Sequence, residues 1–154
     1  MNSRLVRTRS NWMLRKSARQ TRSGFDPVTA VIAFHGHSGL GIGERPAFPA
    51  PEIVVLRRRL ITEELVELDA ALTSGDRVQV ADALADLLYV TCSTAVSFGI
   101  DVRPIFDDVH RTNLAKVGGP TRSDGKILKP NGWTPPAIEP LRARMRLRVP
   151  RQRE

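Results

Sequence analysis

The sequence has one cysteine, one tyrosine, three histidines and an aromatic content of only 5%. A single Cys92 excludes an intramolecular disulfide framework and any multi-cysteine zinc ribbon. No uninterrupted apolar run approaches the ~20 residues that cross a bilayer, so no membrane partner is expected. The first 23 residues are basic but lack the apolar stretch of a secretory signal, which makes a cytoplasmic location the expectation. What is present is 154 residues with 41% apolar side chains. That is enough for one globular domain with a core and too little for two ordinary domains.

The formal charge of +8 is unevenly placed. Residues 1–23 carry seven Arg or Lys and no acid, and residues 141–154 carry six Arg against one Glu. The stretch between them, 24–140, is net acidic. The expected organisation is therefore a basic, disordered extension (1–23), a folded domain (24–140) and an Arg-rich tail (141–154). From Leu141 to Arg148 apolar residues alternate with Arg, a strand-like period, but repeated positive charge and Pro150 argue against a stable strand. Both ends are expected to be solvated extensions; the competing reading is electrostatic contact with nucleic acid.

The middle reads as helices. Asp26-Pro27 fits a cap and first-turn proline for a helix through Phe34. Four glycines and three prolines then predict a loop over 35–51. Pro51-Glu52 opens a second helix whose apolar positions Ile53, Leu56, Leu60, Leu65, Leu68 and Leu72 recur near helical spacing up to Ser74-Gly75. Asp76 caps a third helix to about Phe98, and Asp101 a fourth from Val102 to about Lys116. Beyond Gly118-Gly119 turn signals dominate, with a short hairpin around Lys126–Lys129. The expected fold class is all-α: an antiparallel helical bundle completed by oligomerisation, with an irregular C-terminal arm.

Carboxylates carry the chemistry. In the second helix Glu63, Glu64 and Glu67 project within an arc of about 100°. Like charges so spaced cost a helix a few tenths of a kcal/mol unless a cation lies between them. The third helix places Gln79, Asp82 and Asp86 on one narrow face of an otherwise apolar helix, where an acid is costly unless paired or metal-bound. Two helices joined by a tight turn pack antiparallel, which would bring the acidic faces together. A site built of oxygen donors without nearby His or Cys suits Mg²⁺, with Mn²⁺ as the alternative, and phosphate chemistry. The competing reading makes the three glutamates a solvated face beside Arg57, Arg58 and Arg59.

Glu63-Glu64-x-x-Glu67, Gln79-x-x-Asp82 and the following Ala-Leu-Ala-Asp86-Leu-Leu-Tyr89-Val resemble the MazG-like, all-α nucleoside triphosphate pyrophosphohydrolases. Val109-His110-Arg111-Thr112-Asn113-Leu114-Ala115-Lys116 and Asp124-Gly125-Lys126-Ile127-Leu128-Lys129-Pro130 resemble the phosphoribosyl-ATP-pyrophosphohydrolase-like subgroup that includes MazG-like dUTP pyrophosphatases. The resemblance implies a homo-oligomer, usually a dimer, and Mg²⁺-dependent cleavage of a nucleoside triphosphate to monophosphate and pyrophosphate. It makes Glu64, Glu67 and Asp82 metal ligands and Glu63 the residue that holds or deprotonates the attacking water. Asn113 and Lys116 would approach the triphosphate, with Lys126 or Lys129 closing over it. The second motif ordinarily reads E-x-x-D, and its first position here is Gln79, which offers an oxygen without charge; Asp86 would supply the missing charge. An alternative alignment sets the motif's Asp at Asp86 and Ala83 in the Glu position, a poorer match.

Other residues invite function less. His35 and His37 read as loop residues, Gly39-x-Gly41-x-Gly43 lacks the strand and lysine of a phosphate loop, Cys92 as a buried small hydrophobe, and Trp133 as an anchor for the arm. Two functions follow: a metal-dependent pyrophosphohydrolase, or a non-catalytic module that holds nucleotides or nucleic acid through its basic ends.

Overall fold

The computed structural model describes residues 24–135, 145–147 and 149. The extension 1–23 and most of the Arg-rich tail lie outside the described residues. Four helices follow in order: α1 (Pro27–Ser38), α2 (Pro51–Ser74), α3 (Arg77–Ser97) and α4 (Val102–Leu114). Among the described residues there are no strands beyond two isolated bridges, Ile100 with Arg146 and Thr121 with Ile127, the latter standing where the sequence suggested a hairpin.

Local chemistry fixes the boundaries. Asp26, Asp76 and Asp101 each accept the free N–H groups of the helix they precede. At Gly75 the backbone turns left-handed at φ 71° and its N–H closes on Ala71, so α2 doubles back into α3 with almost no loop. α1 runs four residues further than the sequence suggested. Gly36 is tolerated inside it and the helix stops at Gly39, φ 66°. The cost of a mid-helix glycine, about 1 kcal/mol, is offset because the extra turn buries His35 completely.

α3 is the centre, packed by α1 on one side and α2 on the other. The core is small: Val28, Val31 and Ile32 of α1, Cys92 and Val96 of α3, and Leu147. By length and composition α3 reaches what a membrane span requires, with mean hydropathy 1.2, although Asp82 and Asp86 interrupt its apolar run. Its C-terminal half supplies the core, while its N-terminal half, with Asp82 and Asp86, stands exposed beside α2.

The C-terminal tail departs most from expectation. The Asp101 N–H donates to Met145 O (2.6 Å) and the Leu147 N–H to Gly99 O (3.3 Å). Leu147 is 5% exposed and belongs to the core. Leu147 thus packs in the hydrophobic centre from beyond residue 140, and Arg146 bridges Ile100.

A charge clamp joins the first and last helices. Arg103 grips Asp101 through both guanidinium Nε and Nη2 (2.8 Å each) and reaches Asp26 with Nη1 (2.9 Å). The Arg103 side chain holds the Asp101 carboxyl below its ordinary value of 3.8, and the Thr29 hydroxyl does the same for Asp26. A lowered folded pKa means that this stabilisation is present above about pH 4 and lost as pH falls through the folded values. Asp101→Ala is expected to lower unfolding free energy at pH 7 by about 1–3 kcal/mol and to flatten the acid limb of stability against pH, read by urea melts between pH 7 and 2.5.

Candidate active site

The α2–α3 hairpin sets which acids meet. Near its open end Arg57 Nη1 donates to Ser93 Oγ at 2.8 Å. Carried along the antiparallel pair toward the Gly75 turn, the same register sets Leu60 opposite Val90, Glu64 opposite Asp86, Glu67 opposite Ala83 and Ala71 opposite Gln79. The side chains agree. Glu67, Ala70, Ala71, Gln79, Asp82 and Ala83 line one shallow recess of about 280 Å³.

Glu64 is half-buried between the two helices' acids. Partial burial, and then the charges of Glu67, Asp86 and Glu63, push its carboxyl above the ordinary glutamate range. Acids from both helices are thus within electrostatic reach of one another, and Asp86 is the α3 charge that Glu64 feels. Glu63 lies further out and pairs with Arg59 at 3.4 Å, both side chains well exposed. The solvated-face reading therefore fits Arg59 and Glu63 but fails for Arg57, which is 6% exposed.

The donor set tests the fit of a divalent cation. All candidate ligands are oxygens, which suits a hard ion. Like charges from Glu67, Asp86 and Glu63 bear on Glu64, a repulsion that a bound ion would relieve. Among the described residues no three His, Cys, Asp or Glu side chains converge into a ready cage. Glu67 and Asp86 are exposed side chains with rotamer freedom, so closing on an ion requires side-chain rotation rather than backbone movement.

The residues expected to meet the triphosphate collect elsewhere. The Lys116 ammonium donates to Asn113 Oδ1 (2.6 Å) at the end of α4. Lys129 sits 4.0 Å over the Trp133 ring, and Trp133 donates Nε1–H to Thr112 O (3.3 Å), which ties this residue to α4. Lys126 gives its backbone N–H to Asp124 and is exposed. Among the described residues no hydrogen bond or ion pair joins Asn113, Lys116, Lys126 or Lys129 to the acids of α2 and α3.

The phosphoribosyl-ATP pyrophosphohydrolase family model matches residues 31–113, more than half of the chain. The chain belongs to that family. Comparison with curated proteins gives no match. The phosphoribosyl-ATP pyrophosphohydrolase match runs from inside α1 to Asn113, so it takes in both acidic helices and ends before Lys116, Lys126 and Lys129. Family membership places the chain among all-α nucleotide pyrophosphohydrolases in the MazG-like superfamily.

Two features escaped the sequence. His35 is not a loop residue but a fully buried member of α1, bonded to Ser93 and Gly41. Arg57 is not part of a solvated basic run but lies inward, seven residues before Glu64. That spacing of nearly two helical turns was the available signal, since it puts Arg57 on the same stripe as the acids.

Proposed function

We propose that this chain is a divalent-metal-dependent nucleoside triphosphate pyrophosphohydrolase, using Mg²⁺ or Mn²⁺, with a deoxynucleotide such as dUTP as substrate. The observation that carries the reading is Glu64, crowded by Glu67, Glu63 and, from the facing helix, Asp86. Glu64, Glu67 and Asp86 would hold the ion, beside the recess that Glu67 shares with the Gln79 amide and Asp82. When bound, the ion supplies charge neutralisation to the phosphate oxygens and lowers the pKa of an attacking water. Glu63, steadied by Arg59, orients that water and takes its proton. The new bond forms from the water oxygen to the α-phosphorus as the α–β anhydride bond breaks, with its electron pair leaving on pyrophosphate.

The chain's register against its motif supports the alignment that sets Asp86 in the aspartate position, leaving Ala83 opposite Glu67. Ala83→Glu would add a carboxylate there. The expected result is about tenfold tighter Mn²⁺ binding by calorimetry, with a lower melting temperature without metal that the metal restores.

A second copy completes the assembly in this reading. Phe106 (69% exposed), Val109, Leu114 and Val117 stand out from α4 and its extension, and Leu65, Leu72, Val78, Leu84 and Leu88 from the hairpin. Apolar exposure on this scale needs a partner, and a dimer would let Asn113, Lys116 and Lys129 of one subunit approach the acids of the other. A dimer by sedimentation, with pyrophosphate released from a panel of nucleotides under Mg²⁺ or Mn²⁺, supports the proposal; no release from any of them overturns it. The competing function, a nucleotide-holding module without catalysis, is favoured by the neutral Ala83 and Gln79 and predicts nucleotide binding without pyrophosphate.

A further inference from the structure

One buried polar network ties three helices together. Arg57 Nη1 of α2 donates to Ser93 Oγ of α3 at 2.8 Å, and Ser93 Oγ lies 2.7 Å from His35 Nε2 of α1. The other ring nitrogen, Nδ1, lies 3.0 Å from Gly41 O. A carbonyl only accepts, so Nδ1 carries a hydrogen and donates it. Ser93 accepts from Arg57 and gives its own hydrogen to the bare Nε2. The network therefore closes on a neutral imidazole. All three side chains are buried.

It has no spare bond. Arg57 Nε has no acceptor, and among the described residues no other side-chain hydrogen bond joins α2 to α3. The other charged and titratable groups around His35 stand apart from its ring. On α1, His37 is exposed and bonded to Ala33 O, and Asp26 is held by Arg103. Glu44 and Arg45 of the α1–α2 loop line a cavity with Arg57 but are exposed. From α3 come Ser93 and the buried Cys92 thiol, and the tail brings exposed Arg146 beside Leu147. The charge that bears on the ring is that of Arg57. Burial holds the His35 pKa below its ordinary 6.5; the Gly41 carbonyl pulls it up, and Arg57 adds to the fall. A proton on Nε2 would set a second cation against Ser93 Oγ and take away the acceptor of the serine hydrogen.

The same seam carries the acids. Arg57 stands seven residues before Glu64 on α2, and Ser93 seven after Asp86 on α3. Seven residues are nearly two turns, so the network and the acid pair share one line on each helix, about 10 Å apart. Neither intervening stretch contains Gly or Pro, so a shift of α2 against α3 at Arg57 is carried to Glu64. Resting on the pyrophosphohydrolase reading, we propose that His35, Ser93 and Arg57 are positioning residues for the acid centre, and that protonation of His35 releases the register that sets Glu64 opposite Asp86. Neutral His35 holds Ser93, Ser93 holds Arg57, and Arg57 fixes α2. The latch is closed while the ring is neutral. It opens on the acid side of pH 6.5, as pH falls through the lowered value of the buried ring.

The test follows the full chain without metal by NMR from about pH 8 to 5, recording the imidazole rings and the backbone amides of Leu60 and Val90, which lie between the latch and the acids. Pyrophosphate release from dUTP under saturating Mn²⁺ is measured over the same range for the parent, His35→Gln, Ser93→Ala and Ser93→Thr, each with its melting curve. His35→Gln puts an amide that does not take up a proton where the ring stood. The expected result is that the Leu60 and Val90 amides move with the His35 ring in the parent and not in Ser93→Ala or His35→Gln. The ratio of the His35→Gln kcat to the parent kcat should rise about tenfold from about pH 7.5 to 5, and in that ratio the titration of the carboxylates cancels. Ser93→Ala should lower kcat about tenfold at about pH 7.5 with KM within about threefold, and Ser93→Thr should recover it. A level ratio in folded variants, with pyrophosphate released, overturns the latch and leaves the pyrophosphohydrolase standing. Should His35→Gln unfold, equal kcat in Ser93→Ala and Ser93→Thr overturns it instead. Amides that follow the ring, with no pyrophosphate released from any nucleotide, overturn the catalytic reading and retain the acid-sensitive register. Amides that ignore the ring overturn the latch whatever the activity.

Discussion

Glu64→Ala is expected to reduce pyrophosphate release by a factor on the order of 10³ or more, with the fold intact. Glu64 is the point at which the two helices' charges meet, raised by burial and by Glu67, Asp86 and Glu63. Removing it deletes a proposed ligand from the centre of the group, and no other acid of α2 takes its place opposite Asp86. Stability should move the other way. Losing one member of a set of repelling carboxylates relieves repulsion, so the metal-free melting temperature of Glu64→Ala should equal or exceed that of the parent. A fall in activity accompanied by unfolding would instead mean that Glu64 is structural. Steady-state pyrophosphate assays alongside thermal melts separate these outcomes.

The second large effect concerns the tail. Leu147→Ala is expected to cost about 2–5 kcal/mol, the range for deleting a buried leucine. Leu147 is 5% exposed among Val28, Val31, Ile32, Cys92 and Val96, a core too small to absorb the loss by repacking. Ending the chain at residue 144 removes the same side chain and the two backbone bonds to Gly99 and Asp101, and should destabilise further. Arg146→Ser, at an exposed neighbour, should stay within about 0.5 kcal/mol. Urea titration of the three variants reads the difference. A practical consequence is that deleting residues 141–154 to test nucleic-acid binding would report on folding; replacing the tail's arginines by serine retains Leu147 and tests charge.

Most helix boundaries were legible because their signals are local. Asp26-Pro27, Asp76 and Asp101 cap helices by side-chain bonds that depend only on their own first turns, and Gly75 ends α2 by backbone freedom alone. The errors arose where a distant contact outweighed a local rule. Gly36 was read as a breaker, yet α1 continues because His35 finds Ser93, 58 residues away in sequence. The alternation around Met145–Leu147 was discounted for its positive charge, yet pairing with Gly99–Asp101 and burial of Leu147 prevail. Arg57 was grouped with Arg58 and Arg59 by composition, although helical phase separates it from them. For the site, spacing alone identified acids on two facing helices, but spacing cannot set the register between helices. Whether Glu64 faces Asp82 or Asp86 depends on where Arg57 meets Ser93, a contact that no motif encodes.

The account rests on Glu64 and Asp86 acting across the hairpin as one phosphate-cleaving centre. The most direct test is pyrophosphate release by Asp86→Asn and Asp82→Asn compared side by side with the parent under saturating Mn²⁺. The register predicts a loss on the order of 10²-fold or more for Asp86→Asn and a change of less than about tenfold for Asp82→Asn. Full activity in Asp86→Asn, with Asp82→Asn inactive, would contradict it.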